Sequence, residues 1–246
     1  MKKVFLVSFV LTMMSVAVWG QQSLGMPGLI HVPTADMDSA GIARIGAQYV
    51  PKEIVPDRMT CDGERFNSFT NYLSITLFRW IEVSYGYTLW KMHKNKNPNE
   101  KTGFYSRDRY VSLRLQPIQE AKWWPSVVVG AIDLWGSHDG GISASNHYRN
   151  YYLALSKHLE WHGYRFGGHM AYRYWKRDFN HKWNGVVGGV TAEMAFYRPL
   201  RFMAEWDGNE VNIGADCRLF KLFLLQCGLV DMRHFTGGLS LYIDLF

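Results

Sequence analysis

Segments of alternating apolar and polar residues, joined by two kinds of connection, constrain this chain more than any other feature. Short turns bearing aromatic side chains stand at Phe78-Arg79-Trp80, Lys122-Trp123-Trp124-Pro125, Glu160-Trp161-His162-Gly163, Phe196-Tyr197-Arg198-Pro199 and Phe220-Lys221-Leu222-Phe223. Longer polar connections occur only at the opposite ends of the same segments. A barrel that crosses an outer membrane needs that asymmetry: tight periplasmic turns, longer external loops, and aromatic residues at both interfaces.

The pattern predicts an all-β fold, a transmembrane antiparallel up-and-down β-barrel. About 12 strands are expected, over 42–50, 69–78, 81–90, 107–116, 125–135, 148–159, 161–175, 183–195, 200–207, 210–219, 222–231 and 234–245. In the ninth, Leu200, Phe202, Ala204 and Trp206 share one face, and Arg201, Met203, Glu205 and Asp207 the other. In the tenth, Val211, Ile213, Ala215, Cys217 and Leu219 oppose Glu210, Asn212, Gly214, Asp216 and Arg218. The period is two, with no sustained helical stripe.

A soluble β-sandwich also alternates, but three observations favour the barrel. Charged residues stand mid-strand on the polar face while the other face is apolar along nearly its whole length. That polar face carries few lysines. Tryptophans gather at segment ends: Trp80, Trp123, Trp124 and Trp161 at one, Trp90, Trp135, Trp175, Trp183 and Trp206 at the other.

Residues 1–20 read as a signal peptide, with Lys2 and Lys3 before an apolar run from Val4 to Trp19. Cleavage is expected before Gln21, and the absence of a nearby cysteine argues against a lipid anchor there. Residues 21–41 form an extended N-terminal segment and 42–246 the barrel. Without Lys2 and Lys3, 25 basic residues face 21 acidic ones, a small positive excess that suits lipopolysaccharide or acidic glycans. Nucleic acid is not an expected partner of an exported chain with so modest a charge. Cys61, Cys217 and Cys227 lack metal-type spacing. If Leu222 centres its hairpin, Cys217 and Cys227 stand opposite one another; two inert lipid-facing thiols are the default expectation, a disulfide the alternative.

An even strand number puts both termini in the periplasm, so connections 51–68, 91–106, 136–147 and 176–182 lie outside. The inward set contains Arg114, Asp133, His158, Arg165, His169, Arg173, Glu193, Glu205, Asp216 and Asp244. Both signs occur, so the lumen is expected to hold either a salt-bridged plug of side chains or a narrow hydrated passage, with Glu193 and Glu205 near Arg201. No catalytic residue, metal site or cofactor is read. Ser156 and His158 sit at alternate strand positions about 7 Å apart, His138, Asp139 and His147 have no partnered serine, and His158 and His162 flank a strand turn. Gly167-Gly168, Gly188-Gly189 and Gly237-Gly238 mark sheet bends or room for a segment lying inside the lumen, for which 21–41 is the candidate.

Three motifs carry a family resemblance. The first is Gly28-Leu29-Ile30-His31-Val32-Pro33-Thr34-Ala35-Asp36-Met37, followed by Gly41. The second is Val129-Gly130-Ala131-Ile132-Asp133-Leu134-Trp135-Gly136 with Tyr151-Tyr152-Leu153-Ala154-Leu155-Ser156-Lys157. The third is Ala204-Glu205-Trp206-Asp207-Gly208 with Val211-Asn212-Ile213-Gly214. In order along the chain, they resemble the YjbH family of exopolysaccharide-associated outer-membrane barrels, here as a short, single-barrel member. The resemblance implies a non-enzymatic barrel that assists exopolysaccharide or surface-polysaccharide production or export, with a periplasmic export partner. A small passive pore or structural barrel is the alternative, and a lipid-modifying enzyme a third class. The terminal Phe246 suits the barrel insertion machinery. Pro33 lacks an N–H and fixes its own φ. It is expected to hold 28–35, Thr34 included, extended outside a ladder, with Gly28 and Gly41 allowing sharp entry and exit. The segment is then expected to tuck against or into the periplasmic mouth as a lid or docking strap; a flexible leader is the alternative.

Overall fold

The computed structural model describes residues 20–134 and 146–245. Barrel strands are β1 (Ile42–Val50), β2 (Ser68–Phe78), β3 (Ile81–His93), β4 (Thr102–Ile118), β5 (Ser126–Ile132) and β6 (Asn150–Trp161). They continue as β7 (Tyr164–Trp175), β8 (Gly185–Met194), β9 (Tyr197–Trp206), β10 (Val211–Leu219), β11 (Phe223–Val230) and β12 (His234–Asp244). Each pairs antiparallel with its neighbours in sequence. β1 closes the cylinder, with Ala43 opposite both Ile243 of β12 and Ile75 of β2. Closure leaves no unpaired edge, which is what a sheet in hydrocarbon requires. Trp135, His138 and Asp139, the expected signal peptide up to Trp19, and Phe246 lie outside the described residues.

Alternation sorts the two faces. Ile45, Leu73, Leu153, Val190, Leu225 and Leu239 project outward and are exposed, while Arg44, Gln48, Glu82, Arg114, Arg173 and Asp216 are buried inside. A lipid-facing belt explains the first set. The second is tolerable because each charge meets a partner within the cylinder.

Several boundaries differ from the expectation for local reasons. β4 begins at Thr102 rather than 107, because pairing persists past a register shift to His93↔Thr102. β5 stops at Ile132, since Asp133 adopts φ 62° and leaves the ladder. At the hairpin after β10, Phe220 and Lys221 both take positive φ, and Leu219 pairs with Phe223. The hairpin therefore centres on Lys221, not Leu222. Cys217 faces Leu225 and Cys227 faces Ala215; all three cysteines are free thiols.

The aromatic ends also divide. Trp80, Trp123, Trp124 and Trp161 are exposed around the turn end, and Trp206 is exposed at the loop end. Trp90, Trp175 and Trp183 instead point inward and are buried. Parity decides this for Trp175, which shares the inward face of β7 with Arg173. Asp244 lies at the open turn end and is exposed, not enclosed as its parity suggested.

Residues 20–36 occupy the lumen. Leu24, Met26, Leu29, Ile30, Val32 and Ala35 are buried there against the barrel wall. The expectation of 21–41 as a segment inside the lumen is met over 21–36, whereas that of an extended strap at the mouth is corrected. The chain folds back on itself through bridges Gln21↔Pro27 and Gly28↔Pro33, with Leu29 N–H donating to Val32 O at 2.9 Å. Its tip rises to the loop end, where His31 packs edge-on against Trp183 at 5.0 Å. Small wall residues make room: a Cβ on Gly228 would lie 2.7 Å from Ile30 Cδ1. Gly28 has the same reason, since a Cβ there would meet Val32 O at 2.6 Å. Gly41, at φ 86°, turns the chain out of the lumen into β1.

Candidate functional site: the luminal segment and its turn-end mouth

A segment inside a barrel must find partners for its backbone, because neither water nor a ladder supplies them. The wall does so from three directions. Near the loop end, the Glu205 carboxylate accepts the N–H groups of Ile30 and Val32 through Oε2, each at 3.0 Å, and that of His31 through Oε1 at 2.8 Å. Asn212 Nδ2 donates to the same Oε1 at 2.8 Å. Charge-assisted bonds of this kind are about twice as strong as neutral ones.

The His31 ring is gripped beside it. Nδ1 lies 3.0 Å from Asp207 Oδ2, and Arg173 donates to His31 O at 2.7 Å and to Asp207 O at 2.6 Å. Asp207 follows β9 in a tight connection whose Asn209 and Glu210 N–H groups donate to its Oδ1 at 3.0 and 2.9 Å. Burial alone would push this carboxyl up. The His31 hydrogen bond and charge, the Glu210 N–H and Arg173 outweigh burial and hold it well below the usual carboxylate range.

Midway, Arg114 donates to Thr34 O at 2.7 Å and Asp36 O at 2.8 Å, and Gln116 Nε2 donates to Ala35 O at 2.7 Å. Arg114 also meets Glu82 at 3.0 Å. Glu82 in turn accepts from Arg44 at 2.7 Å, and Arg44 reaches Asp38 at 3.0 Å. The chain Asp38–Arg44–Glu82–Arg114 thus alternates in sign, which offsets the cost of enclosing four ionised groups. Toward the start of the segment, the Tyr110 hydroxyl donates to Leu24 O at 3.1 Å, and Tyr72 and Ser240 hydrogen-bond the side chain of Gln21.

Of the residues expected to line the lumen, Arg114, Arg173 and Glu205 contact the segment directly, and His169 bonds Ser156, whose Oγ accepts the Ala35 N–H. Asp216 pairs instead with Arg201 at 2.6 Å, and Arg165 with Glu193 at 3.4 Å. Glu193 stands opposite Arg201 as expected, but the placing of Glu205 beside them is corrected. Glu205 stands opposite Gly189, two inward positions farther along the wall, and is committed to the segment. Asp133 sits at the loop end, where its carbonyl accepts from Arg149 at 2.9 Å. Ser156 and His158, held apart at alternate positions of β6 as expected, are not partners. Ser156 stands opposite His169 in the β6–β7 ladder and lies 2.8 Å from its Nδ1.

The sequence reading quoted His31, Asp36 and Asp207 within motifs but gave none of them a role at the site, and it did not single out Arg44 or Glu82. Inward parity marks Arg44 and Glu82 in principle. His31 and Asp36 belong to a non-periodic stretch in which no pattern fixes direction.

At the turn end the lumen opens into a cavity of about 550 Å³, lined among others by Asp36, Asp38, Arg79, Gln116, Glu120 and Arg165. Both signs of charge face it. Burial pushes Glu120 up, but hydrogen bonds from His158 and Lys157 more than reverse this and lower it.

Comparison with known proteins adds the following. Residues 20–213 match the family model YjbH, described as "Exopolysaccharide biosynthesis protein YbjH". A relative from Escherichia coli strain K12, named "Uncharacterized lipoprotein YjbH", is 24% identical over 249 residues. That alignment covers 85% of this chain and 32% of the relative, so the chain spans about a third of that protein's length. Among solved structures, outer membrane phospholipase A from Escherichia coli aligns at TM-score 0.38 and 13% identity, covering 84% of this chain and 98% of that one. The Salmonella typhi phospholipase dimer with bound calcium aligns at TM-score 0.35 and 13% identity, covering 84% and 92%. At those scores neither likeness adds to the fold, which the strand pairing establishes by itself.

Proposed function

This chain belongs to the YjbH family, and we propose that it is a non-enzymatic outer-membrane barrel that assists exopolysaccharide or surface-polysaccharide production or export. The observation that carries this reading is the luminal segment itself. Glu205, Arg114, Gln116 and Arg173 are all committed to its backbone. A wall that spends its buried charges on holding its own N-terminal residues is built as a closed element, not as an open passage. The segment leaves the lumen at Gly41 beside the mixed-charge mouth, which offers a periplasmic export partner a polar docking surface. The apolar exterior seats the barrel in outer-membrane lipid and lipopolysaccharide after removal of residues 1–20 and delivery by the insertion machinery.

Two measurements test this. Deleting the protein from its host is expected to lower secreted or surface polysaccharide, with recovery on re-expression; unchanged polysaccharide would reject the role. In planar bilayers the purified barrel is expected to be silent, whereas steady channels would favour the small-pore alternative. An enzymatic reading finds no exposed nucleophile in Ser156, whose hydroxyl is buried and engaged by the Ala35 N–H and His169. Lipase or acyltransferase activity lost on replacing His158 or His169 would restore that reading.

A further inference from the structure

One group of side chains near the mouth is not explained by holding the segment in place. Asp36 comes from the luminal segment, His158 from β6 and His169 from β7, and one ligand atom from each lies within 4.8 Å of the others. Asp36 Oδ1 is 3.7 Å from His158 Nε2, and Oδ2 is 3.8 Å from His169 Nδ1. Oδ2 is buried yet takes part in no hydrogen bond. We propose that these three residues bind a divalent transition-metal ion of the zinc class, which ties the luminal segment to the barrel wall.

Spacing and ring orientation both support this. The two separations are too long for hydrogen bonds. Two ligands about 2.0–2.2 Å from a tetrahedral zinc ion stand about 3.4 Å apart, so the three ligand atoms, all within 4.8 Å of one another, must draw together by side-chain adjustment to reach coordinating range. His158 Nδ1 lies 2.6 Å from Glu120 Oε2 and donates its N–H there, so Nε2 is the ring nitrogen on the Asp36 side. Glu120 is itself held by Lys157 Nζ at 2.9 Å and His158 N–H at 2.8 Å. A carboxylate behind a ligating imidazole is the usual device for fixing its tautomer and raising its basicity.

His169 is set in the complementary tautomer. Its Nε2 lies 3.1 Å from Thr191 Oγ1 and donates to it, which leaves Nδ1 bare toward Asp36 and Ser156. On binding an ion, Nδ1 exchanges the Ser156 contact for the metal, and Ser156 keeps the Ala35 N–H. Gly167 makes room for the pair, because a Cβ there would lie 2.7 Å from His169 Nε2 and 2.9 Å from His158 Cδ2. Two imidazoles and a carboxylate suit zinc, nickel or copper(II) better than calcium or magnesium. Asp36 also lines the turn-end cavity, which gives an ion a route to the group from that end. Cys61, Asp62 and His93 form the other candidate group among the described residues. There His93 Nε2, at the end of β3, already meets both Asp62 oxygens, at 3.0 and 2.8 Å. It serves as the control.

The test uses the full protein purified in detergent micelles, stripped with chelator and titrated with Zn²⁺ by calorimetry, with Co²⁺ absorption as a second readout. One equivalent is expected to bind, with tetrahedral nitrogen–oxygen bands for Co²⁺. Asp36→Asn and His158→Gln are each expected to weaken binding at least tenfold, and His93→Gln to leave it unchanged, with far-UV circular dichroism verifying that each barrel is folded. Absence of stoichiometric binding by the folded wild type overturns the proposal. So does binding unaffected by either cluster variant, or lost equally in His93→Gln. Should one cluster variant fail to fold, the Co²⁺ bands of the wild type and the remaining variant decide.

Discussion

The carboxylate of Glu205 accepts the backbone N–H of His31 at 2.8 Å across 174 residues of chain. The same side chain serves Ile30 and Val32, so one wall residue satisfies three consecutive donors at the tip of the luminal segment. Glu205→Ala leaves those donors buried without partners, at roughly 1–3 kcal/mol each. The segment is expected to leave the lumen in that variant. Limited proteolysis of folded barrels should then cut within 20–36, where the wild type resists, and bilayer recordings should show conductance absent from the wild type. A silent, protease-resistant Glu205→Ala barrel would refute the assignment.

Acid is expected to weaken the same end. The Asp207 carboxyl is depressed in the folded protein despite its burial, through His31, the Glu210 N–H and Arg173. A depressed carboxyl contributes stability that is complete above its unfolded pKa, about 4, and is lost as pH falls toward the lower folded value. Protection of residues 20–36 should therefore hold through neutral and mildly acidic conditions and decline below about pH 4. Asp207→Asn should weaken docking at pH 7 by about 1.5–3 kcal/mol and flatten the acid slope. An unchanged slope in that variant would show that another group governs it.

Gly228 and Ile30 should be coupled. A Cβ at Gly228 would press on Ile30 Cδ1 and on Ile213 O at 2.9 Å. Gly228→Val is expected to cost about 1–3 kcal/mol through overpacking, and adding Ile30→Ala should recover part of that loss. Chemical denaturation in micelles across the double-mutant cycle measures the coupling. Strict additivity would mean that the two residues do not share space.

Leu239 tests the outer face. It is exposed in the middle of β12 and stands opposite Ala47 and Leu225. Leu239→Arg should destabilise folding into phospholipid vesicles by about 2–4 kcal/mol if it lies near the midplane, with a much smaller effect in a soluble environment. The neighbouring inward position Ser240, buried against Tyr72, should not respond in this lipid-specific way. Equal responses of the two positions would contradict the inward–outward assignment.

The barrel was legible because its determinants are local. A side chain's face follows from its parity along a strand, and the two lengths of connection alternate in plain view. Where the reading slipped, the missing information was three-dimensional. A positive φ at Asp133, Phe220 and Lys221 changes where a ladder ends or a hairpin centres. Nothing in the alternation announces either. Trp90, Trp175 and Trp183 have the composition of a girdle, yet they line the lumen, where Trp175 and Trp183 pack against His31 and Trp90 against His147.

The order of residues was enough to establish a closed cylinder with an apolar exterior, charged inward positions and a non-periodic leading segment near Pro33 and Gly41, since a two-residue repeat needs only neighbouring positions to be read. Only the tertiary structure decided that this leading segment fills the cylinder, that Glu205 receives its tip, and that Asp36 is brought to His158 and His169. Those contacts join residues more than a hundred positions apart, and they depend on which wall positions a non-repeating strand meets once the sheet has closed around it.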